Sequence, residues 1–566
     1  MKVLGTFITE WDEGKANADI ILSTRESAQM YAERLTELAV ALGFDGWLVN
    51  MEIKLDKGQI PNLKVFVSHL TQTMHSAMPG SLVIWYDAVT IDGDLNWQNQ
   101  LNDRNKPFFD ISDGIFVNYT WLEDYPKLSA AVAGDRKFDV YMGIDVFGRG
   151  TYGGGQWTTN VALDVIKKDD VSAAIFAPGW VYETKQPPDF ESAQNRWWGL
   201  VEKSWGIVQN YPKALPFYSN FDQGHGYHIS INGGEISVDP WNNISCQSLQ
   251  PFLEVPGDSV PDKIQVLVNF KEASYNGGGN ITFKGTLEGN AYFTTKLFQG
   301  ELPLGDLPVH FIYSVKTEGN SMLGLYLQFS FGLNGRKTVL LASSGNTLLT
   351  MNQFSSQFSD VIMPHRVMNQ EKAPGWVIQE SSIAMNGYVL TEIHAVCYKA
   401  KPGVTELRLE SDSVGENNTT ARGPSEYYAV LGSLTVKTSS PNSDFPPSSL
   451  WLVEGQDIEW TSGSQGSKTL SVKVVWKSKH GNASLFPNYN IYVEKLANQS
   501  VANLGGVVDG VQEYIGVALV QAFYVSDLVV PSGTSSLKFI IQVCASDGTC
   551  QKLDDSPFLQ LHVEGS

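Results

Sequence analysis

The sequence is poor in cysteine, with four in 566 residues. That is too few for the disulfide framework of a small secreted domain. Only Cys544 and Cys550 lie near enough in sequence to face each other across a turn. No run approaches the ~20 consecutive apolar residues of a membrane-crossing helix. The stretch Met1-Lys2-Val3-Leu4-Gly5-Thr6-Phe7 is too short in apolar residues for a secretory signal and passes straight into a strand-like segment. Positive charge is in deficit: 40 Lys and Arg stand against 60 Asp and Glu, for a net charge of −20. This excludes nucleic acid and anionic membranes as natural partners, since both want a basic surface. Gly153-Gly154-Gly155 lacks the lysine and strand context of a phosphate loop. No Gly-x-Ser-x-Gly elbow precedes a helix in the α/β part. His225 and His228 have no third ligand nearby. The expectation is a protein with no metal and no cofactor.

Apolar residues make up 42% of the chain and aromatics 11%. A chain this long exceeds one core and is expected to form two to four domains. In the first two hundred residues, apolar strands alternate with amphipathic helices. Strands are expected near 3–9, 47–53, 81–86, 114–121, 139–147 and 172–178, with a further, seventh strand at 216–221. Helices are expected near 24–42, 62–77, 123–133, 159–168 and 189–209. Ser23 with Glu26 fits a capping box for the first of these, and Gly43 its C-terminal cap. Non-alternating strands separated by helices imply a parallel sheet buried on both faces, and this many repeats imply a barrel.

After about residue 230 the helical period disappears. Short strands alternate with Gly, Asn, Ser and Pro turns, as in β-sandwiches. The organisation expected is a (β/α) barrel over 1–230, a β-sandwich of carbohydrate-binding type over 231–438, a linker over 439–449, and a fibronectin- or immunoglobulin-like sandwich over 450–566.

One stretch concentrates the chemistry. In Trp47-Leu48-Val49-Asn50-Met51-Glu52-Ile53 an amide and a carboxylate sit within an apolar strand. Strand side chains alternate faces, so Asn50 and Glu52 point the same way. At the carboxyl end of a barrel strand they would face the mouth, where active sites lie. Other acids near strand or element ends are Glu10, Asp87, Asp110, Asp145 and Asp222. Of these carboxylates, only Glu52 has a same-face amide two positions before it.

Asn50-Met51-Glu52 after an apolar run resembles the catalytic strand of glycoside hydrolase family 85, the endo-β-N-acetylglucosaminidases of the cytosol. Leu4-Gly5-Thr6-Phe7-Ile8-Thr9-Glu10-Trp11, Ile84-Trp85-Tyr86-Asp87, Asn118-Tyr119-Thr120-Trp121, Gly143-Ile144-Asp145-Val146-Phe147 and Phe176-Ala177-Pro178-Gly179-Trp180 continue the resemblance in family order. The segment Phe270–Gly278 is similar to plant members. The resemblance implies a (β/α)₈ TIM barrel. Family members carry one or two strands before the Gly5-Thr6-Phe7 block, so this chain is expected to begin inside the barrel.

The implied activity is hydrolysis of the β-1,4 bond between the two core N-acetylglucosamines of N-glycans, glycopeptides or free oligosaccharides. The implied mechanism is substrate-assisted: the 2-acetamido oxygen attacks the anomeric carbon to give an oxazoline. Asn50 would orient the acetamido group, Glu52 would act as acid and then base, and Tyr86 would approach Glu52. Two alternatives stay open. One is a glycan-binding protein without activity, and the other a two-carboxylate glycosidase pairing Glu52 with Asp87 or Asp145.

Eleven of the fifteen tryptophans precede residue 242. Trp11, Trp121, Phe147 and Trp180 are candidate platforms for sugar rings, and Asn118 and Asp145 candidate partners for hydroxyls. Arg149 reads instead as an ion-pair partner at the rim. A glycan on the sequon at Asn118 would be incompatible with a barrel strand, which favours the cytosol. No protein partner is evident.

Overall fold

A computed structural model describes residues 2–206, 212–252, 264–289, 291–332, 335–344, 347–370, 373–400, 426–438, 445–463, 466–479, 486–497 and 511–563. The chain divides into two compact units, Met1–Val208 and Gln209–Ser566.

The first unit is one parallel sheet with strands in sequence order: β1 (Gly5–Glu10), β2 (Gly46–Glu52), β3 (Leu82–Tyr86), β4 (Gly114–Val117), β5 (Val140–Asp145) and β6 (Ser172–Phe176). Among the described residues β1 and β6 are its edges. Helices α1 (Trp11–Ile21), α2 (Arg25–Leu42), α3 (Ile60–Ala77), α4 (Lys106–Phe109), α5 (Tyr125–Ala133), α6 (Thr159–Lys168), α7 (Trp180–Glu183) and α8 (Phe190–Trp205) fill the connections.

Alternation sorts the strand residues onto two faces. Val49, Met51, Val83, Trp85, Ile115, Val117, Met142 and Ile144 are sealed in one core with Leu63, Phe66, Val67 and Leu70 of α3. Burying such aliphatic side chains is worth about 1.5–3 kcal/mol each. The other face carries Ile8, Leu48, Asn50, Glu52, Tyr86 and Phe176, and opens towards the edges, where Ile8 is 52% and Phe176 44% exposed.

Two glycines fix how the chain enters β2. Gly43 caps α2 in the left-handed region at φ 73°. Gly46 has φ 148°, and a Cβ there would fall 1.8 Å from the Leu82 carbonyl oxygen. The cap of α2 differs from expectation. Thr24, not Ser23, accepts the Ser27 N–H at 3.0 Å, while Ser23 donates to the Ile20 carbonyl.

The second unit is built mainly of β-strands, with one short helix at Thr347–Phe354. Strand Phe217–Ser219, expected as a seventh barrel strand, pairs antiparallel with Glu426–Thr438. It therefore belongs to the second unit's sheet; a three-residue apolar run does not specify which sheet it joins. That sheet and a five-stranded partner enclose one core around Phe283, Phe311, Leu325 and Leu434. A three-stranded and a four-stranded sheet enclose another around Trp451, Trp476, Ile491 and Phe539. The expected linker lies partly outside the described residues, at 439–444; its continuation includes Phe445, whose ring stacks on Phe486. Cys544 and Cys550 are joined by a disulfide across their turn.

Candidate active site

Polar side chains gather at the carboxyl ends of strands β1 to β5. Asn50 and Glu52 share the open face of β2. Glu10 ends β1 as the direct register partner of Glu52, so that one carboxyl group neighbours the other. Trp97, from the loop after β3, donates its Nε1–H to Glu52 Oε1 at 3.2 Å. Partial burial, and then the neighbouring Glu10 carboxyl, raise the Glu52 pKa above the ordinary carboxyl value; the Trp97 N–H and the nearby Tyr86 hydroxyl pull it back in part. A carboxyl so placed holds its proton to higher pH than a free one, as a general acid must.

Asn50 Oδ1 is buried and has no hydrogen-bond partner among the described residues. Leaving such an acceptor unmatched costs about 1–3 kcal/mol. It lies two residues before Glu52, whose pKa is raised, and on the same face. The site is thus shaped to accept an N–H beside a group able to give a proton.

Tyr86 ends β3. Its hydroxyl donates to Asn118 Oδ1 at 3.0 Å, and its ring packs edge-on against Phe116. Burial, then the nearby Glu52 charge, raise the phenol pKa, so the ring stays neutral. Asn118 is itself committed: its Nδ2 donates to Asn99 Oδ1 at 2.7 Å and to Thr120 Oγ1 at 3.1 Å. It is buried, and acts here to hold Tyr86 in place rather than to present a free amide to a hydroxyl.

The candidate second carboxylates are occupied. Asp87 is buried and accepts the Gln98 and Asn99 N–H groups at 3.2 and 2.8 Å and Asn105 Nδ2 at 2.8 Å. It anchors the loop that carries Trp97. Burial raises its pKa to about 6 against these three donors. Asp145 is fully buried; Arg149 grips it through Nε at 2.8 Å and Nη2 at 3.1 Å, and the Phe147 and Arg149 N–H groups bind it as well. Burial works to raise its pKa, but the guanidinium and these N–H groups prevail and hold it below the usual range. Asp145 therefore acts as a strut for the loop after β5, committed to Arg149 and backbone N–H groups rather than turned to an open site. Asp110 pairs with Lys106 at 2.6 Å at the end of α4. Asp222 lies in the second unit, where it accepts the Gly278 and Gly279 N–H groups, both at 2.8 Å.

The aromatic candidates divide. Trp121 is buried, stacks on Tyr152 with centroids 5.1 Å apart and donates to the Gly143 carbonyl at 2.7 Å. Trp180 is buried edge-on to Trp157 at 5.5 Å. Both are buried in the core of the first unit rather than presented as open faces. Phe147 is half-buried beneath the Arg149 guanidinium, 5.2 Å from its centroid. Trp11 is 84% exposed, with its backbone at φ 59°. At His225 and His228 no metal set forms among the described residues: His228 Nε2 accepts the Ser274 N–H at 3.2 Å, and His225 packs on Phe270.

Residues 1–229 match Glycosyl hydrolase family 85, and residues 443–564 match the ENGASE1-like, C-terminal immunoglobulin-like domain. The chain is 52% identical, over its whole length, to Cytosolic endo-beta-N-acetylglucosaminidase 1 of Arabidopsis thaliana and covers 80% of that protein. It is 48% identical to Cytosolic endo-beta-N-acetylglucosaminidase 2 of the same plant, again over its whole length and covering 81% of it. The chain belongs to glycosyl hydrolase family 85. Among solved structures, the glycoside hydrolase domain of Endo-D from Streptococcus pneumoniae aligns with 99% of the chain and 81% of its own length, at a TM-score of 0.63 and 15% identity, a likeness of fold.

This glycoside hydrolase has site residues that its sequence does not advertise. Trp97 and Asn99 lie in an irregular loop with no period to place them. Their signal is indirect: the Asp87 carboxylate behind that loop is what turns Trp97 towards Glu52. Glu10 is visible as a strand-end acid, but its contact with Glu52 needs the parallel register.

Proposed function

We propose that the protein is an endo-β-N-acetylglucosaminidase. It would cleave the β-1,4 bond between the two core N-acetylglucosamines of N-glycans, glycopeptides or free oligosaccharides. We read the parallel sheet as six consecutive strands of a (β/α)₈-type barrel, on the strength of its strand order and of polar groups gathered at the carboxyl ends. The relatives named above are called cytosolic, and the same compartment is proposed here.

The reaction proposed is substrate-assisted and retaining. The acetamido oxygen attacks C1 while Glu52 gives its proton to the departing O4, so the C1–O4 bond breaks as the oxazoline ring closes. Asn50 Oδ1 accepts the acetamido N–H as positive charge grows on that nitrogen. Water then adds to C1, loses its proton to Glu52, and the oxazoline C1–O bond opens. Two inversions leave the anomeric centre retained. Tyr86 keeps its phenol beside Glu52, and Trp11 and Phe147 offer aromatic faces at the rim.

The observation that carries this reading is the unmatched, buried Oδ1 of Asn50 beside the raised Glu52. It asks for an N–H donor, and the 2-acetamido group supplies one. A folded Glu52→Gln variant should lose cleavage of a high-mannose glycopeptide by at least the ~10²–10⁴-fold typical of general acid–base catalysis. Near-normal turnover would remove Glu52 from the mechanism. Tight glycan binding by the unmodified chain without any cleavage would favour a binding protein.

A further inference from the structure

On the outer face of the second unit's first sheet, three side chains converge that no motif links. His310 lies on strand Val309–Thr317, Glu380 on its neighbour Trp376–Ile383, and His365 just before the short edge strand Arg366–Asn369. The strands are adjacent and antiparallel, and Glu380 sits directly opposite Arg366. The His365 N–H donates to the Glu380 carbonyl at 3.0 Å, fixing the edge against its neighbour.

Both imidazoles point a ring nitrogen at the same carboxylate oxygen. His310 Nδ1 is 3.0 Å and His365 Nε2 3.6 Å from Glu380 Oε1. All three donor atoms lie within 4.8 Å of one another. Among the described residues this is the one cluster of three or more such groups. A tetrahedral ion bound at ~2.0–2.1 Å separates its ligand atoms by about 3.3 Å, so the observed spacings bracket the requirement.

We propose that His310, His365 and Glu380 bind one divalent transition-metal ion, Zn²⁺ by ligand chemistry. Two imidazoles and a carboxylate suit zinc and not calcium or magnesium, which take oxygen ligands. Three protein ligands leave a fourth position for solvent. Arg366 Nη1, 3.9 Å from the other oxygen Oε2, is a nearby cation and favours binding through Oε1 alone. Lys437, the cross-strand neighbour of His310, is turned to Asp547 at 2.9 Å. The metal would clip the four-residue edge strand to the two strands inside it, a structural role away from the Asn50–Glu52 chemistry.

The test uses the full chain without a histidine tag. The protein is stripped with a chelator, and Zn²⁺ is titrated against a chromophoric competitor. One zinc per chain is expected, with affinity reduced at least about a hundredfold in His310→Ala and Glu380→Gln, beyond what loss of a mere supporting partner brings. Zinc should also raise the second unit's unfolding temperature in the unmodified chain. If the buried-side variants fail to fold, His365→Ala decides, because that side chain is half-exposed at a strand end. Absence of stoichiometric binding, or equal binding by the unmodified chain and His365→Ala, overturns the proposal.

Discussion

Glu10 and Glu52 stand side by side at the ends of two adjacent parallel strands, in direct register, and the Glu10 carboxyl raises the pKa of its neighbour. The pair has one consequence for rate. While Glu10 is charged, its neighbour releases its proton less readily. Trp97 acts on the same carboxylate in the opposite sense, since its N–H favours the ionised form.

The two neighbours therefore predict opposite changes in pH profile. Removing the Glu10 charge in Glu10→Gln lowers the Glu52 pKa, and the alkaline limb of kcat/KM should move to lower pH. Removing the indole donor in Trp97→Phe raises that pKa, and the limb should move to higher pH. Profiles that shift together, or do not shift, would separate these residues from the titration of Glu52.

Asp87 and Asp145 are expected to matter for folding more than for chemistry. Asp145 is depressed, so its contribution is present above its unfolded pKa near 3.9 and is lost as pH falls through the still lower folded value. Asp87 is raised to about 6, so its contribution is present below pH ~3.9 and is lost as pH rises through about 6. Asp145→Ala leaves the Phe147 and Arg149 N–H groups unmatched and should cost about 1–3 kcal/mol in the first unit. Asp87→Asn should flatten stability between about pH 4 and 6 and keep cleavage within about tenfold. Denaturant titrations across pH, beside rates on the same samples, check both. A fully folded Asp87→Asn or Asp145→Asn enzyme with no cleavage would return a carboxylate nucleophile to consideration.

The six strands of the first unit are legible in the sequence because each is a short apolar run bounded by turn residues, with Gly43 and Gly46 marking the entry to β2. Helix α1 is not, since Trp11–Ile21 follows β1 without a loop and carries a polar sequence. Asn50 and Glu52 stand out because polar groups inside an apolar strand are costly. Strand-end aromatics are ambiguous: the same residue type turns inward at Trp121 and outward at Trp11. What decides is the packing of the next helix, which local pattern does not contain. The Glu10–Glu52 contact and the His310–His365–Glu380 cluster depend on strand register, a property of pairing between distant segments.

The central claim is that Asn50 serves formation of the oxazoline, and one comparison tests it most directly. Asn50→Ala is assayed with a high-mannose glycopeptide and, separately, with a preformed sugar oxazoline and an N-acetylglucosamine acceptor. Hydrolysis of the glycopeptide should nearly vanish, because the acetamido group loses its acceptor during ring closure. Transfer from the oxazoline should persist, because ring closure is bypassed and Glu52 remains to take the acceptor's proton. Equal loss with both donors, in a variant that folds as the unmodified chain does, would contradict the account.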